Sequence, residues 1–336
     1  MRRTRGTHSL LVAAVIVMGP ILASGTPALS AIRIGTDQSE TLTGTNGNDH
    51  LTGKGGNDTL RGLAGNDVYD FTDGWGGDTL EEKAKYKIGG KKVPGGTDTL
   101  SFRGVSSGSV AVRLLRQWGP SYNGAFGSNG ELVILGTSVV ENAVGTRSSS
   151  PDILTGGGEK NVLQPGGGVD DSLQDNGGYN DGPGGEPELP VSNDTFKGLN
   201  QNTGTISVFD WGGSGDVLDL RPFGAGDVYL DAIDVDGDPA GTKESLQIVT
   251  GGTSQVVVYG HFGDIAGLTS ATGQHGRIER LIFADGTFSG ASGVSTSKQS
   301  LTRKQAKLAE AAPRLVAEAR RLAAEAPPAG DLPSRR

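Results

Sequence analysis

Residues 44–82 read GTNGNDHLTGKGGNDTLRGLAGNDVYDFTDGWGGDTLEE, and within them Gly-Asn-Asp returns three times at one offset, ending at Asp49, Asp58 and Asp67. A large residue keeps the same step: Leu42, Leu51, Leu60 and Tyr69 stand nine residues apart, each two residues after the acidic position, which Glu40 fills in the first repeat. A fixed short period sets the architecture before any propensity argument begins. Glycine in the turn permits backbone angles that a β-carbon forbids, and the three residues around each Leu form a short strand whose centre alone faces inward. Two nonapeptides then complete one coil. Coils stacked through parallel strand hydrogen bonds make two sheets with a thin aliphatic seam, an all-β parallel β-roll over residues 34–82. After Tyr69 the acidic and apolar steps both lengthen from nine to eleven, to Asp78 and Leu80. This predicts a wider last turn, with Tyr69 and Phe71 plugging the end of the roll.

The rest of the chain fits a thin architecture. Among 336 residues there are 57 Gly, with 34% hydrophobic and 5% aromatic residues, too few for one large packed core. Residues 31–297 hold 34 acidic and 18 basic residues, which argues against nucleic acid and for cations as partners. There is no cysteine, hence no disulfide framework. Arg2, Arg3 and Arg5, an apolar run from Leu10 to Ala23 and the small-residue exit Ala28-Leu29-Ser30 predict a secretory signal peptide over residues 1–30 and an extracellular, secreted product.

Residues 96–174 are expected to hold a β insert (TDTLSF, SVAVRLL, ELVILG) followed by eroded repeats, in which Asp152, Asn161 and Asp170 keep the nine-residue step. Residues 175–193, rich in Gly, Pro and acids, predict a linker, and 194–290 a β-rich carboxy-terminal domain. Over 298–326, Leu301, Leu308, Leu315 and Leu322 recur every seven residues, predicting an amphipathic helix interrupted at Pro313. The DWGGSGD stretch at 210–216 reads as a β-turn, because no helix follows for a phosphate-cradling loop. Asp234-Val-Asp236-Gly-Asp238 reads as an acidic turn. His50, His261 and His275 are far apart in sequence and read as surface or turn residues; no H-E-x-x-H or G-x-S-x-G pattern occurs.

The 44–82 stretch resembles the RTX, or haemolysin-type calcium-binding, family, whose nonapeptide is G-G-x-G-x-D-x-U-x. The likeness is strong in the first block and loose over the remainder of 34–290, through GTDTLSF, VVENAVGT and IERLIFADGTF. It implies calcium as the cofactor: a hard cation takes six to eight oxygen ligands, and glycine turns expose backbone carbonyls beside the carboxylates. In the family, acids one coil apart share an ion, which here implies Asp49 with Asp67 and Asp58 with Asp78, the turn carbonyls of Gly47, Gly56 and Gly65 completing the shell. Thr45, Lys54 and Leu63 stand where the family places its second glycine, which predicts weaker turns. The expected function is a secreted calcium-binding protein that folds on binding the metal, with a structural or binding role, no catalysis, and a cell-surface or extracellular partner as a further expectation. A secreted hydrolase or lyase stabilised by its repeats, and a calcium-dependent adhesin, are the alternatives.

Overall fold

The computed structural model describes residues 29–290 apart from 83–86, 89–90, 93–94, 115–122, 136–137, 176–191, 200–203, 211–214, 225–226, 236–243, 251–253, 262–277 and 285–287. The leader at 1–30 lies almost wholly, and the helix at 298–326 wholly, outside the described residues, as do most of the 175–193 linker and the 236–238 part of the acidic turn. Among the described residues there is no α-helix.

In chain order the strands are β1 (Ile32–Ile34), β2 (Thr41–Thr43), β3 (His50–Thr52), β4 (Thr59–Arg61), β5 (Val68–Thr72), β6 (Gly76–Leu80), β7 (Lys87–Ile88) and β8 (Lys91–Lys92). There follow β9 (Thr99–Gly104), β10 (Val110–Arg113), β11 (Gly124–Gly127), β12 (Gly130–Ile134), β13 (Asn142–Val144), β14 (Ile153–Thr155), β15 (Val162–Gln164) and β16 (Ser172–Gln174). The last are β17 (Thr195–Phe196), β18 (Thr205–Phe209), β19 (Val217–Leu220), β20 (Val228–Ile233), β21 (Ser245–Thr250), β22 (Gln255–Tyr259), β23 (Arg280–Phe283) and β24 (Phe288–Gly290). They form a ten-stranded sheet, β1-β3-β5-β9-β13-β15-β17-β19-β23-β24, and a twelve-stranded sheet, β2-β4-β6-β12-β11-β10-β14-β16-β18-β22-β21-β20; β7 and β8 pair only with each other.

The expected coil is present. Parallel pairing sets Arg33 beside Leu51 and Leu51 beside Tyr69 in the first sheet, and Leu42 beside Leu60 and Leu60 beside Leu80 in the second. Successive strands alternate between the sheets, so each inward residue meets its equivalents one coil above and below. Leu51, Leu60, Tyr69, Leu80, Leu100, Leu154, Leu163, Leu173, Phe196 and Leu218 are all fully buried along one seam.

Two expectations change. The roll does not end after Leu80: β9 pairs with β5, setting Leu100 against Tyr69, and parallel stacking in the first sheet continues to β23. Tyr69 and Phe71 are therefore interior residues; Phe71 stacks on Phe102 at 4.6 Å between centroids, with Trp75 edge-on to both rings. Nor do residues 194–290 form a separate layer. β17 pairs with β15 and β18 with β16 across the expected linker, and one apolar cluster runs from Leu51 to Phe283. The physical reason is that each new strand finds an open parallel edge of the same width, so stacking covers more apolar surface than a second small core would. Of the expected β insert, TDTLSF joins the parallel first sheet as β9, and the remainder is an antiparallel meander, β12-β11-β10, set inside the second sheet between two parallel neighbours, β6 and β14. Antiparallel strands also finish the stack: β24 on the first sheet, β21 and β20 on the second.

Candidate metal centre

The residue just before each strand of the first sheet from β3 to β23 falls in one column. By register these are Asp49, Asp67, Asp98, Glu141, Asn161, Asp194, Asp216 and Glu279. Most steps are made by a backbone N–H donating to the carboxylate one coil on. Asp49 donates to Asp67 Oδ1 at 2.7 Å, Asp67 to Asp98 Oδ1 at 2.9 Å, Asp98 to Glu141 Oε2 at 2.7 Å, Asn161 to Asp194 Oδ1 at 2.5 Å, Asp194 to Asp216 Oδ1 at 2.6 Å and Asp216 to Glu279 Oε2 at 2.8 Å. At the exception, Asn161 Nδ2 donates to the Glu141 carbonyl at 2.6 Å.

A second column, before the strands of the other sheet, joins Glu40 to Asp58 at 2.9 Å and Asp58 to Asp78 at 2.9 Å. The meander interrupts it, since Leu132 pairs with Asp78. It resumes where Val110 donates to Asp152 and Asp152 to Asp171.

Asparagine in the Gly-Asn-Asp unit makes the reverse contact: the Asn66 N–H donates to Asn48 Oδ1 at 2.8 Å and the Thr97 N–H to Asn66 Oδ1 at 2.9 Å. The unit's carboxylate thus bonds back to the preceding coil and its asparagine Oδ1 forward to the following one. Within each turn the acid folds over the first glycine, and a β-carbon at Gly44, Gly53 or Gly62 would collide with Oδ2 of Asp49, Asp58 or Asp67 respectively.

Asp49, Asp58, Asp67 and Asp78 are all buried. The structure brings together the expected pairs, Asp49 with Asp67 in one column and Asp58 with Asp78 in the other. The carbonyl oxygens of Gly47, Gly56 and Gly65 each lie where a β-carbon on Gly65, Gly76 or Gly96 of the following coil would strike them. Oδ2 of Asp58, Asp67 and Asp78 has no hydrogen-bond partner among the described residues. Asp49 differs, because the Thr45 N–H and hydroxyl both donate to its Oδ2. Lys54 and Leu63, at the same turn position, instead adopt φ of 70° and 81°, the left-handed conformation the family assigns to glycine.

Burial pushes the carboxyls of Asp58 and Asp67 up, and that of Asp78 up to about 7; the N–H that each accepts opposes the rise, and the acid one coil earlier adds to it. Buried acids with an unused lone pair, stacked in line and raised in pKa by desolvation, are a donor set fitted to a hard divalent cation.

Sequence reasoning missed several members of these columns. Asp67, Glu82 and Asp98 offer ligand oxygens within 4.8 Å of one another. A β-carbon on Gly62 would meet Asp67 Oδ2, the Tyr69 hydroxyl and Glu82 Oε1 together, and that hydroxyl accepts the Gly62 N–H at 2.9 Å. Asp170 is corrected: it is Asp171 that enters the column, while Asp170 has φ 58° and accepts the Thr205 N–H. The acid must stay two residues before the inward Leu173, so the extra residue is taken up in the turn. His261 is buried, contrary to the surface reading, whereas His50 is exposed beside Asp70. His275 lies outside the described residues.

Stacked two-strand coils whose repeat turns open on glycine and close on an acid define a calcium-type parallel β-roll. The chain carries the RTX calcium-binding nonapeptide repeat: the model of that family matches residues 34–69 in four copies. These repeats imply calcium binding. Among curated proteins none matches the chain.

Proposed function

We propose that this is an exported protein whose amino-terminal coils close around calcium, serving a structural or binding role without catalysis. Asp58, Asp67 and Asp78 supply carboxylate oxygens, Asp49 joins through Oδ1 in the column, and the carbonyls of Gly47, Gly56 and Gly65 complete the shells. The observation that carries this reading is the set of buried Oδ2 atoms on Asp58, Asp67 and Asp78 that no protein donor reaches. Leaving such oxygens dry and charged is costly, and a cation removes the cost. Export is supported by the basic and apolar leader, and by the RTX repeat, typical of secreted proteins.

At about 1 mM free calcium and a dissociation constant near 0.1 mM, typical of extracellular modules, each site adds roughly 1.4 kcal/mol by mass action. That is a large contribution to a seam built on one Leu per nonapeptide. The test is calcium titration of the chelated chain lacking residues 1–30, followed by circular dichroism and calorimetry. Strand signal should rise with saturable uptake, and Ala at positions 49, 58, 67 and 78 should abolish uptake by the first block. Equal structure in excess chelator overturns the reading, and so does reproducible turnover of ester, peptide or glycan substrates.

A further inference from the structure

The turns at Gly44, Gly53 and Gly62 open on glycine because the acid at the far end folds back over that position. Toward the carboxy-terminal end an acid takes that position twice. Asp210 directly follows β18 and Asp216 directly precedes β19, while Asp175 directly follows β16 and Asp194 directly precedes β17. A carboxylate thus stands where Gly44, Gly53 and Gly62 leave only hydrogen. The two opening acids are neighbours, since β16 and β18 pair through Gln174 and Phe209 and the Asp175 N–H donates to the Phe209 carbonyl at 2.8 Å. The closing acids Asp194, Asp216 and Glu279 are consecutive members of the first column.

Asp210 is only 4% exposed, and neither of its carboxylate oxygens has a hydrogen-bond partner among the described residues. It lies in the repulsive fields of Asp216, Asp175, Asp194 and Glu279, with Asp216 the strongest. Asp216 Oδ2 is also without a partner. Asp194 is better provided for, taking the Asn161 N–H and the Ser192 hydroxyl. A buried carboxylate pointed into other acids requires a positive counter-charge or a proton to be tolerated.

We propose that Asp210, with Asp175, Asp194, Asp216 and Glu279, forms a calcium site of its own, far along the stack from the 34–69 repeats and built on an acid at the turn position those repeats reserve for glycine. The chemistry selects calcium over magnesium. Five carboxylates from three connections give many oxygens in a flexible arrangement, whereas magnesium prefers a small octahedral set and retains its waters. Filling this site would pin the turns after β16 and β18 to the column ending at Glu279, and so lock the last coils as the repeats lock the first.

The test uses the chain without residues 1–30, stripped with chelator and titrated with calcium chloride by calorimetry. Asp210→Asn should remove one bound ion per chain and leave the rest unchanged. A chain with Asn at positions 49, 58, 67 and 78 should still retain calcium, and adding Asp210→Asn to it should remove that ion. Should Asp210→Asn fail to fold, Asp175→Asn is the substitute, with the same single-ion loss expected. An unchanged ion count and affinity in the Asp210 or Asp175 variant overturns this site while leaving the repeat sites standing; no calcium retained by the fourfold variant overturns it too. A fourfold variant with the full ion count would instead sink the repeat reading alone.

Discussion

At the scale of single residues, the turns of the 34–69 repeats use a conformation that two of their side chains resist. Lys54 and Leu63 sit at positive φ, where an L residue pays about 1–2 kcal/mol that glycine avoids. Lys54→Gly and Leu63→Gly are each expected to stabilise the calcium-loaded chain by about 1 kcal/mol, less the greater entropy of glycine in the unfolded chain, read from the denaturation midpoint. Asp78 sets a pH dependence. Its folded pKa of about 7 lies above the ordinary 3.8, so between those values the folded state binds more protons than the unfolded state. Metal-free stability should therefore fall as pH rises from about 4 to about 7, with the penalty complete above that window. Thermal unfolding in chelator across pH 4–8 checks the sign; stability that rises over the window would contradict the assignment.

At the scale of elements, the first coils were legible because their spacing is fixed, and the later ones were hidden because it is not. Neighbouring acids of the first column are separated by 18, 31, 43, 20, 33, 22 and 63 residues from Asp49 to Glu279. A search at nine finds the first step and loses the rest. What stays constant is the pair of an acid or amide with an inward apolar residue two positions on: Asp98 with Leu100, Glu141 with Ala143, Asp194 with Phe196, Asp216 with Leu218, Glu279 with Leu281. Insertions between coils are tolerated because they leave the sheets at the turns, and that variability is what made residues 194–290 read as a second domain. Glu82 was hidden for another reason: it stands two residues after Leu80, where Gly62 stands after Leu60, a position the repeats fill with glycine and not with an acid. The meander β12-β11-β10 has no acid column of its own. In hydrogen exchange, calcium should slow the amides of β2 to β6 markedly and those of β10 to β12 much less; equal protection of both would count against metal-coupled closure of the repeats.

At the scale of the whole molecule, the two ends of the stack differ. The amino-terminal end leaves Ile32 and Ile34 exposed at 74% and 62%, and Arg33 faces Leu51 where other coils place an apolar residue. The other end is closed by antiparallel strands. In a stack where each coil touches only its neighbours, stability is close to a sum of coil and interface contributions. Chelation should therefore unfold the chain in more than one calorimetric transition, the repeat coils melting first, and a single cooperative transition with unchanged midpoint would contradict that picture.

The backward bond of each carboxylate and the forward bond of each asparagine make every repeat coil a link with the same plug and the same socket. Excising residues 44–61 would bring Leu42 against Leu80 and Arg33 against Tyr69, with each lost partner replaced by its equivalent. The protein is in this sense a ruler whose length changes by whole graduations of about 4.8 Å, and evolution or a designer can lengthen or trim it without redrawing the pattern.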